Sequence, residues 1–240
     1  NTPYSFTLPV VDTQPPVITC PTNQNLIATS ASGAVGTYTA PVGTDNCPGA
    51  TTVRTAGLAS GSTFPIGTTT NTFVVTAANG QTATCSFTVT VAGVAPAIVC
   101  PANMSVNTTT GLCSGTATFV ATDPVGIPAS TITYSHAPGS VFPVGTTTVT
   151  ATATNAVGTS SCTFTVTVVD NQAPNAVCQN VTVQLNATGN GSTTASAVDN
   201  GSSDACGIAS MTLNNSSFTC ANVVGPNTVV LTVTDVNGNS

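Results

Sequence analysis

The side chains that could carry chemistry are few: nine cysteines, seven acids and one histidine, with Arg54 as the single cation. All seven acids are aspartates, and the chain has neither lysine nor glutamate. This set supplies no acid and base pair or activated nucleophile of the kind a hydrolase needs. His136 alone cannot form a zinc site of several histidines, and no two cysteines have the Cys-x-x-Cys spacing of zinc ligands. We therefore expect no catalytic residue, and the cysteines become the informative chemistry.

The low charge also limits the partners. Binding to nucleic acid depends on clustered lysines and arginines, which the sequence lacks, so we expect no nucleic acid. No uninterrupted apolar run approaches the roughly 20 residues of a membrane-spanning helix, so we expect no membrane insertion. Recurring cysteines are typical of an oxidising compartment, where disulfides stabilise small domains. The sequence therefore predicts an extracellular or cell-surface protein that is not an enzyme.

Three motifs recur along the chain in the same order. Cys20, Cys100 and Cys178 each follow a short apolar run and lie about 80 residues apart. The other recurring segments are FPIGTTT at 64–70 with FPVGTTT at 142–148, and CSFTVTV at 85–91 with CTFTVTV at 162–168. Self-similarity at a fixed period predicts a tandem array of repeats.

Within a repeat, apolar residues alternate with threonine, as at Phe87, Val89 and Val91, which is typical of a strand with one buried face. Several short strands separated by turn signals predict a β-sandwich, and short proline-containing linkers predict an extended, semi-rigid rod. We delimit four segments: the closing strand of a preceding repeat at 1–12, and sandwiches at 13–93, 94–170 and 171–240, the last without its closing strand.

Several of these motifs resemble the HYR (hyalin) repeat family. They are ITCP at 18–21, TDNCP at 44–48, the FPIGTTT core and the CSFTVTV close. The third repeat, with VDNG at 198–201 and SDACG at 203–207, is similar to the related repeats of very large surface adhesins from gliding Bacteroidetes. The resemblance covers nearly the whole chain. It implies an all-β chain of tandem immunoglobulin-like sandwiches, an extracellular location and a role in adhesion or surface architecture.

Six cysteines are expected to form disulfides. Two pairs join the first strand of a repeat to its last, and a third pair flanks a short strand pair in the third repeat. Closing a loop of roughly 65 residues contributes about 4 kcal/mol in the chain-entropy model, which is comparable with the whole stability of a small sandwich. The expected disulfides are Cys20–Cys85, Cys100–Cys162 and Cys206–Cys220.

Three cysteines are left over: Cys47, Cys113 and Cys178. In the four-cysteine form of the HYR family, a second and a third cysteine also pair within one repeat. Here the first repeat keeps only the third of these, Cys47, and the second repeat keeps only the second, Cys113. Two interpretations are open: these cysteines bridge neighbouring repeats or molecules, or they are buried free thiols.

The repeats are out of phase with the chain. Residues 4–12 match a closing strand with Tyr4 in place of the cysteine, and no closing strand follows the turn at Asn237 and Gly238. One interpretation is a cut through a longer tandem array. The other is a filament unit in which residues 3–11 complete the open sandwich of the next unit, covalently or by strand donation.

Five aspartates are candidates for a Ca²⁺ site, the one cofactor that we consider: Asp12 and Asp170 at junctions, and Asp45, Asp123 and Asp199 in mid-repeat loops that we take as equivalent. Aspartate in a turn commonly accepts hydrogen bonds from its own backbone, and this role competes with metal binding. A good Ca²⁺ site needs about 6–8 oxygen ligands, which so few carboxylates hardly supply.

The favoured function is a non-catalytic structural or adhesive stalk segment of an extracellular repeat protein or filament. Its partners would be neighbouring copies or repeats of itself. The alternative is a carbohydrate- or protein-binding module of a secreted multidomain protein, which would contact surface glycans or a host or substrate surface. The absence of tryptophan and the presence of only three tyrosines argue against a carbohydrate-binding face.

Overall fold

The computed structural model describes residue 1 and residues 3–240. The ordered elements among these residues are strands, apart from a short helix, α1 (Ala195–Val198), and a 3-10 turn at Cys220–Asn222. Contacts between Cα atoms group the chain into two units. One comprises residues 1–98, 122–132 and 152–161, and the other comprises residues 99–121, 133–151 and 162–240. The second repeat therefore contributes segments to both units.

The first repeat is a β-sandwich. A four-stranded sheet in the order β1-β6-β5-β3 packs against a two-stranded sheet of β2 and β4. The closing strand β6 is central, because it pairs parallel with β1 on one side and antiparallel with β5 on the other. The strands are β1 (Gln24–Ile27), β2 (Ala34–Val35), β3 (Thr51–Ala56), β4 (Thr63–Phe64), β5 (Gly67–Thr76) and β6 (Thr82–Ala92).

The second repeat has the same topology. Its four-stranded sheet has the order β7-β12-β11-β9, and β8 pairs with β10 in the smaller sheet. The closing strand β12 again lies between the first strand and β11. The strands are β7 (Met104–Asn107), β8 (Ser114–Thr116), β9 (Thr131–Tyr134), β10 (Val141–Pro143), β11 (Gly145–Thr154) and β12 (Thr159–Val169).

The cores form where the alternating closing strand meets the smaller sheet. Phe87, Val89 and Val91 of β6 pack with Phe64 of β4, and all four side chains are buried. In the second repeat Phe164, Val166 and Val168 of β12 pack in the same way with Phe142 of β10. The sequence-based prediction of an all-β chain of tandem β-sandwich repeats is confirmed.

The third repeat has two two-stranded sheets. β13 (Asn190–Ser192) pairs with β15 (Ser217–Thr219), and β14 (Ile208–Leu213) pairs with β16 (Leu231–Asp235). Helix α1 begins after Thr194, whose side chain accepts a hydrogen bond from the N–H of Ala197 and caps the helix. Residues 181–184, the counterparts of β1 and β7, form no strand. No helix among the described residues is long and apolar enough to cross a membrane.

Candidate functional site

The N-terminal segment, residues 3–11, presents a row of apolar side chains to solvent. None of residues 3–16 belongs to a strand. Tyr4, Phe6, Leu8 and Val10 are 94%, 87%, 75% and 92% exposed. Because they occupy every second position, an extended segment carries them on one face. The N-terminal segment thus has the pattern of a half-buried strand without a sheet to cover it.

The same pattern is buried in the closing strand of the second repeat. The sequence YSFTLPVVD at 4–12 corresponds to CTFTVTVVD at 162–170. In that strand Phe164, Val166 and Val168 are 3%, 0% and 2% exposed. The apolar residues of the N-terminal segment therefore stand at positions that a closing strand buries.

The third repeat has a groove along the path that the closing strand takes in the other two repeats. Residues 178–185 and 225–229 contribute its sides, and these runs are the counterparts of the strands that flank β6 and β12. Val198 and Phe218 also line it. Phe218 pairs with Gly191 as Phe142 pairs with Gly115, so it is the counterpart of a central core residue.

An asparagine holds the closing strand in each of the first two repeats. The Oδ1 atoms of Asn23 and Asn103 accept hydrogen bonds from the backbone N–H groups of Thr88 and Thr165, each at 2.9 Å. Asn180 is the corresponding residue of the third repeat and lies in the wall of the groove. Among the described residues, none donates a hydrogen bond to its amide oxygen. The groove therefore has an acceptor in the place where a closing strand brings a donor.

Disulfides tie the closing strand to the start of the first two repeats. Cys20 is bonded to Cys85 and Cys100 to Cys162, with Cα atoms 5.6 and 5.9 Å apart. The corresponding residue of the third repeat, Cys178, is an exposed free thiol that lines the groove.

The expectation of a Cys206–Cys220 disulfide is wrong. Cys206 is bonded to Cys113, with Cα atoms 4.7 Å apart, so the disulfide joins the third repeat to the second. Cys220 is an exposed free thiol whose Sγ lies 3.8 Å from the carbonyl oxygen of Gly189. The prediction failed because Cys206 precedes β14 whereas Cys220 follows β15, and these strands belong to different sheets.

Cys47 is a half-buried free thiol beside two carboxylates. A hydrogen bond to Asp12, burial and the negative charges of Asp12 and Asp45 raise the pKa of this thiol. The thiol therefore stays protonated at neutral pH, and the protonated form is a poor nucleophile.

Asp123 serves as a turn residue. Its carboxylate accepts hydrogen bonds from the hydroxyl of Ser130 and from the backbone N–H groups of Ala97, Val125 and Gly126. The Ser130 hydroxyl, followed by these N–H groups, lowers the pKa of the Asp123 carboxyl. Its oxygens are therefore committed to protein donors.

Asp199 has the same kind of role. Hydrogen bonds from Ser202, with further ones from the N–H groups of Gly201 and Asn200, lower the pKa of its carboxyl. Both oxygens accept backbone N–H groups at 3.0 and 3.3 Å. The turn role assigned to aspartates by composition thus describes the contacts of this residue.

Asp45 and Asp199 are not equivalent, which corrects the alignment of the loops. Thr44, before Asp45, forms a bridge with Val17, and Ser203 forms the same bridge with Asn175. Val17 and Asn175 each stand three residues before the first cysteine of their repeat. The counterpart of Asp45 is therefore Asp204.

Asp12 and Asp45 lie together at the entrance of the first repeat. Asp12 accepts hydrogen bonds from the N–H of Gln14 and from the amides of Asn46 and Asn79. The Gln14 N–H is the main cause that lowers the pKa of the Asp12 carboxyl. Both carboxylate oxygens of Asp45 are buried, and no described residue donates a hydrogen bond to them.

Asp170 and Asp204 form the corresponding pair in the third repeat. Asp170 is 8% exposed; its Oδ1 accepts hydrogen bonds from Thr108 Oγ1 and the Gln172 N–H, and no described residue donates to its Oδ2. Ligand atoms of Asp170, Asp204 and Cys206 lie within 4.8 Å of one another. Because the Cys206 sulfur is in a disulfide, only the two carboxylates of this group can bind a metal ion. A good Ca²⁺ site needs about 6–8 oxygen ligands. Of the five Ca²⁺ candidates, Asp45 and Asp170 keep buried oxygens open, and Ca²⁺ binding stays a prediction.

Sequence reasoning missed Asn180 and Asp204. The signal for Asn180 was present, because an asparagine follows each first cysteine in CPTN at 20–23, CPAN at 100–103 and CQN at 178–180. The third run is one residue shorter, which hides the correspondence. Asp204 lies in the SDACG motif, which corresponds to TDNCP of the first repeat. VDNG shares the Asp-Asn pair of TDNCP, and for this reason Asp199 was aligned with Asp45 instead.

The fold and the disulfides define the class: tandem, disulfide-stabilised β-sandwich modules of the kind found in the oxidising extracellular environment. The profile of the HYR domain matches residues 11–91 and 94–168, and the chain belongs to this family.

One curated relative and two solved structures illustrate the similarity. Hyalin of Strongylocentrotus purpuratus is 31% identical over 249 residues, which cover 98% of this chain and 20% of hyalin. The titin domains z1z2 in complex with telethonin are 16% identical, cover 68% of this chain and 100% of that chain, and give a TM-score of 0.37. Human CDH23 EC21-23 is 13% identical, covers 63% of each chain and gives a TM-score of 0.31.

Proposed function

We propose that this chain is a structural stalk segment of an extracellular filament or larger repeat assembly, in which units join tail to head by strand complementation. The observation that carries the proposal is the complementarity of an exposed strand pattern and an open groove. The N-terminal segment of one copy enters the groove of the third repeat of the next copy. Its partner is therefore a second copy of the same chain.

The burial pattern of the second repeat supports this arrangement. If residues 4–12 enter the groove as 162–170 enter their own sheet, then Phe6, Leu8 and Val10 take the places of buried core residues. Each such side chain contributes about 1.5–3 kcal/mol when it leaves water. Backbone hydrogen bonds to both flanking runs add to this, as in other cases where an added strand completes a sheet.

The polar contacts support the same register. In the first two repeats the asparagine acceptor binds the N–H of the third residue after the closing-strand cysteine. Tyr4 stands at the position of that cysteine, so the corresponding donor is the N–H of Thr7. We assign the amide oxygen of Asn180 as its acceptor.

Pro9 departs from the closing-strand pattern in a way that affects backbone pairing. It stands at the position of Thr167 and Thr90, which are within central strands. A proline has no N–H, so one ladder hydrogen bond is lost at this position. Proline is also a common device that keeps an exposed strand from pairing indiscriminately.

Assembly of the purified chain tests the proposal. Light scattering and negative-stain microscopy should show linear polymers that lengthen with concentration. Phe6→Ser, which changes the buried face, should leave monomers, whereas Val11→Ser, at the position of the partly exposed Val169, should still assemble. A synthetic peptide of residues 3–12 should cap the groove and shorten the polymers. A wild-type chain that stays monomeric at high concentration contradicts the proposal.

A further inference from the structure

The Cys113–Cys206 disulfide is a covalent link between the second repeat and the third. Cys113 lies in the turn between β7 and β8 of the second repeat, and Cys206 lies in the loop before β14 of the third. The linker between them is held to the same turn. Gln172 accepts a hydrogen bond from the N–H of Gly111 and donates to Thr108 Oγ1 and the Thr109 carbonyl.

The first repeat has a loop that corresponds to the one holding Cys206. Cys47 stands three residues after Thr44, as Cys206 stands three residues after Ser203, and Thr44 and Ser203 form equivalent bridges. Cys47 is therefore the counterpart of Cys206.

The linker before the first repeat matches as well. The N–H of Gln14 donates to Asp12 Oδ1 at 3.1 Å, and the N–H of Gln172 donates to Asp170 Oδ1 at 3.2 Å. Asn79 donates to the carbonyl of Asp12, and Asn239 donates to that of Asp170, both at 3.3 Å. The entrance of the first repeat is thus built like the entrance of the third, but its cysteine has no partner.

The third repeat also has a turn that corresponds to the one holding Cys113, but in an altered form. The turn at 186–190 is the counterpart of the turn that holds Cys113: Asn186 N–H donates to Asn190 as Thr109 N–H donates to Ser114. This turn contains no cysteine. Instead, the Sγ of Cys220 lies against it, 3.8 Å from the Gly189 carbonyl oxygen.

Gly189 leaves the space that this sulfur fills. A Cβ on Gly189 would lie 2.6 Å from Cys220 Sγ, which is closer than atoms pack, and the φ of Gly189 is +76°. A thiol from elsewhere in the chain thus occupies the turn that in the second repeat presents the bridging cysteine. Cys220 is an exposed residue with a free thiol.

We propose that Cys220 of one copy forms a disulfide with Cys47 of the copy whose N-terminal segment fills its third repeat. This inference rests on the strand complementation proposed above and makes the tail-to-head joint covalent. The two thiols lose two protons and two electrons and form one S–S bond, while a small-molecule disulfide of the extracellular medium takes up the electrons and becomes two thiols. Cys178 takes no part, because Tyr4 occupies the position of its partner.

The raised pKa of the Cys47 thiol fits an ordered assembly. A protonated thiol exchanges slowly with disulfides in solution, so it survives until docking brings Cys220 beside it. The noncovalent joint therefore forms first, and the disulfide follows.

Oxidation of the assembled chain tests the inference. Polymers are incubated with oxidised glutathione and run on denaturing gels without reductant. The wild type and the control Cys178→Ser should give a ladder of multimers that dithiothreitol collapses. Cys47→Ser and Cys220→Ser should each abolish the ladder, while light scattering still reports noncovalent polymers. Pepsin digestion and mass spectrometry should find the Cys47–Cys220 peptide pair.

The outcomes separate this inference from the proposed function. Polymers without a ladder, with Cys47 and Cys220 titrating as free thiols, overturn the covalent joint but leave strand complementation in place. A ladder that persists in Cys220→Ser or Cys47→Ser also overturns the pairing. A chain that forms no polymers under any condition overturns both proposals.

Discussion

Phe164 and Phe6 occupy the same position of the repeat but have opposite environments: Phe164 is 3% exposed within β12, and Phe6 is 87% exposed in the N-terminal segment. The difference lies in what covers each residue. β12 lies between two strands of its own sheet, whereas the N-terminal segment pairs with none of the described strands. We expect a second copy to supply the sheet that covers Phe6.

Asn180→Ala should weaken assembly without unfolding the monomer. The variant removes the acceptor that we assign to the Thr7 N–H, and one hydrogen bond contributes about 1 kcal/mol, or about a fivefold change in dissociation constant. Analytical ultracentrifugation measures the change. Asn23→Ala is the matched control, since it removes the same contact within the first repeat. It should lower thermal stability and leave the association constant unaltered.

Pro9→Thr should strengthen assembly. Threonine stands at this position in both complete closing strands, and it restores the N–H that proline lacks. The expected result is a severalfold lower critical concentration for polymer formation, measured by light scattering. A variant that assembles less well than the wild type would show that the N-terminal segment does not enter a sheet at this position.

The double variant Cys20→Ser, Cys85→Ser should destabilise the first repeat by about 4 kcal/mol, because the disulfide closes a loop of 65 residues. Denaturant unfolding, followed by the fluorescence of Tyr38 in this core with Tyr4 and Tyr134 replaced by phenylalanine, measures the loss. Cys178→Ser, which removes a free exposed thiol, should leave the unfolding curve unchanged. Equal stability of the wild type and the double variant would contradict the entropic account.

Stability should be flat from about pH 5 to 9 and fall in acid. Hydrogen bonds lower the pKa values of Asp123 and Asp199. Burial of Asp235 opposes its ionisation, but the hydrogen bonds to its carboxylate, led by that from Asn239, outweigh burial and lower the pKa of Asp235 as well. A lowered folded pKa means that the unfolded chain binds more protons, so this stability is present above about pH 4 and is lost as pH falls through the folded values. Thermal melts between pH 2 and 9 measure it, and Asp235→Asn should reduce the acid sensitivity. A steep change between pH 6 and 8 would contradict this prediction.

Recurrence made much of the fold predictable. The alternation in CSFTVTV specifies which face of the closing strand is buried, and its return in the second repeat implies the same place in the sheet. The pairing of Cys20 with Cys85 follows because both lie in motifs that each complete repeat contains. These features are determined by the sequence pattern within a single repeat.

The errors arose where the third repeat departs from the other two. The loop from Asp199 to Asp204 carries two acidic motifs, so position along the chain did not identify the counterpart of Asp45. Cys220 lies in a segment between β15 and Gly225 that is longer than its counterpart between β4 and Gly67. A disulfide between repeats, such as Cys113–Cys206, depends on how two repeats meet, and periodicity within each repeat carries no information on that.

The most direct test of the tail-to-head joint is a cysteine at the position of Tyr4. In the complete repeats the closing-strand cysteine is bonded to the counterpart of Cys178, so Tyr4→Cys should form disulfide-linked multimers through Cys178 of the next copy. The measurement is made in a Cys47→Ser, Cys220→Ser background, to exclude the other joint. Ser5→Cys, one residue away and on the opposite face, is the off-register control. A reducible ladder for Tyr4→Cys that is lost when Cys178→Ser is added, and that is absent for Ser5→Cys, is the predicted result. Monomers for Tyr4→Cys, or an equal ladder for Ser5→Cys, would contradict the account.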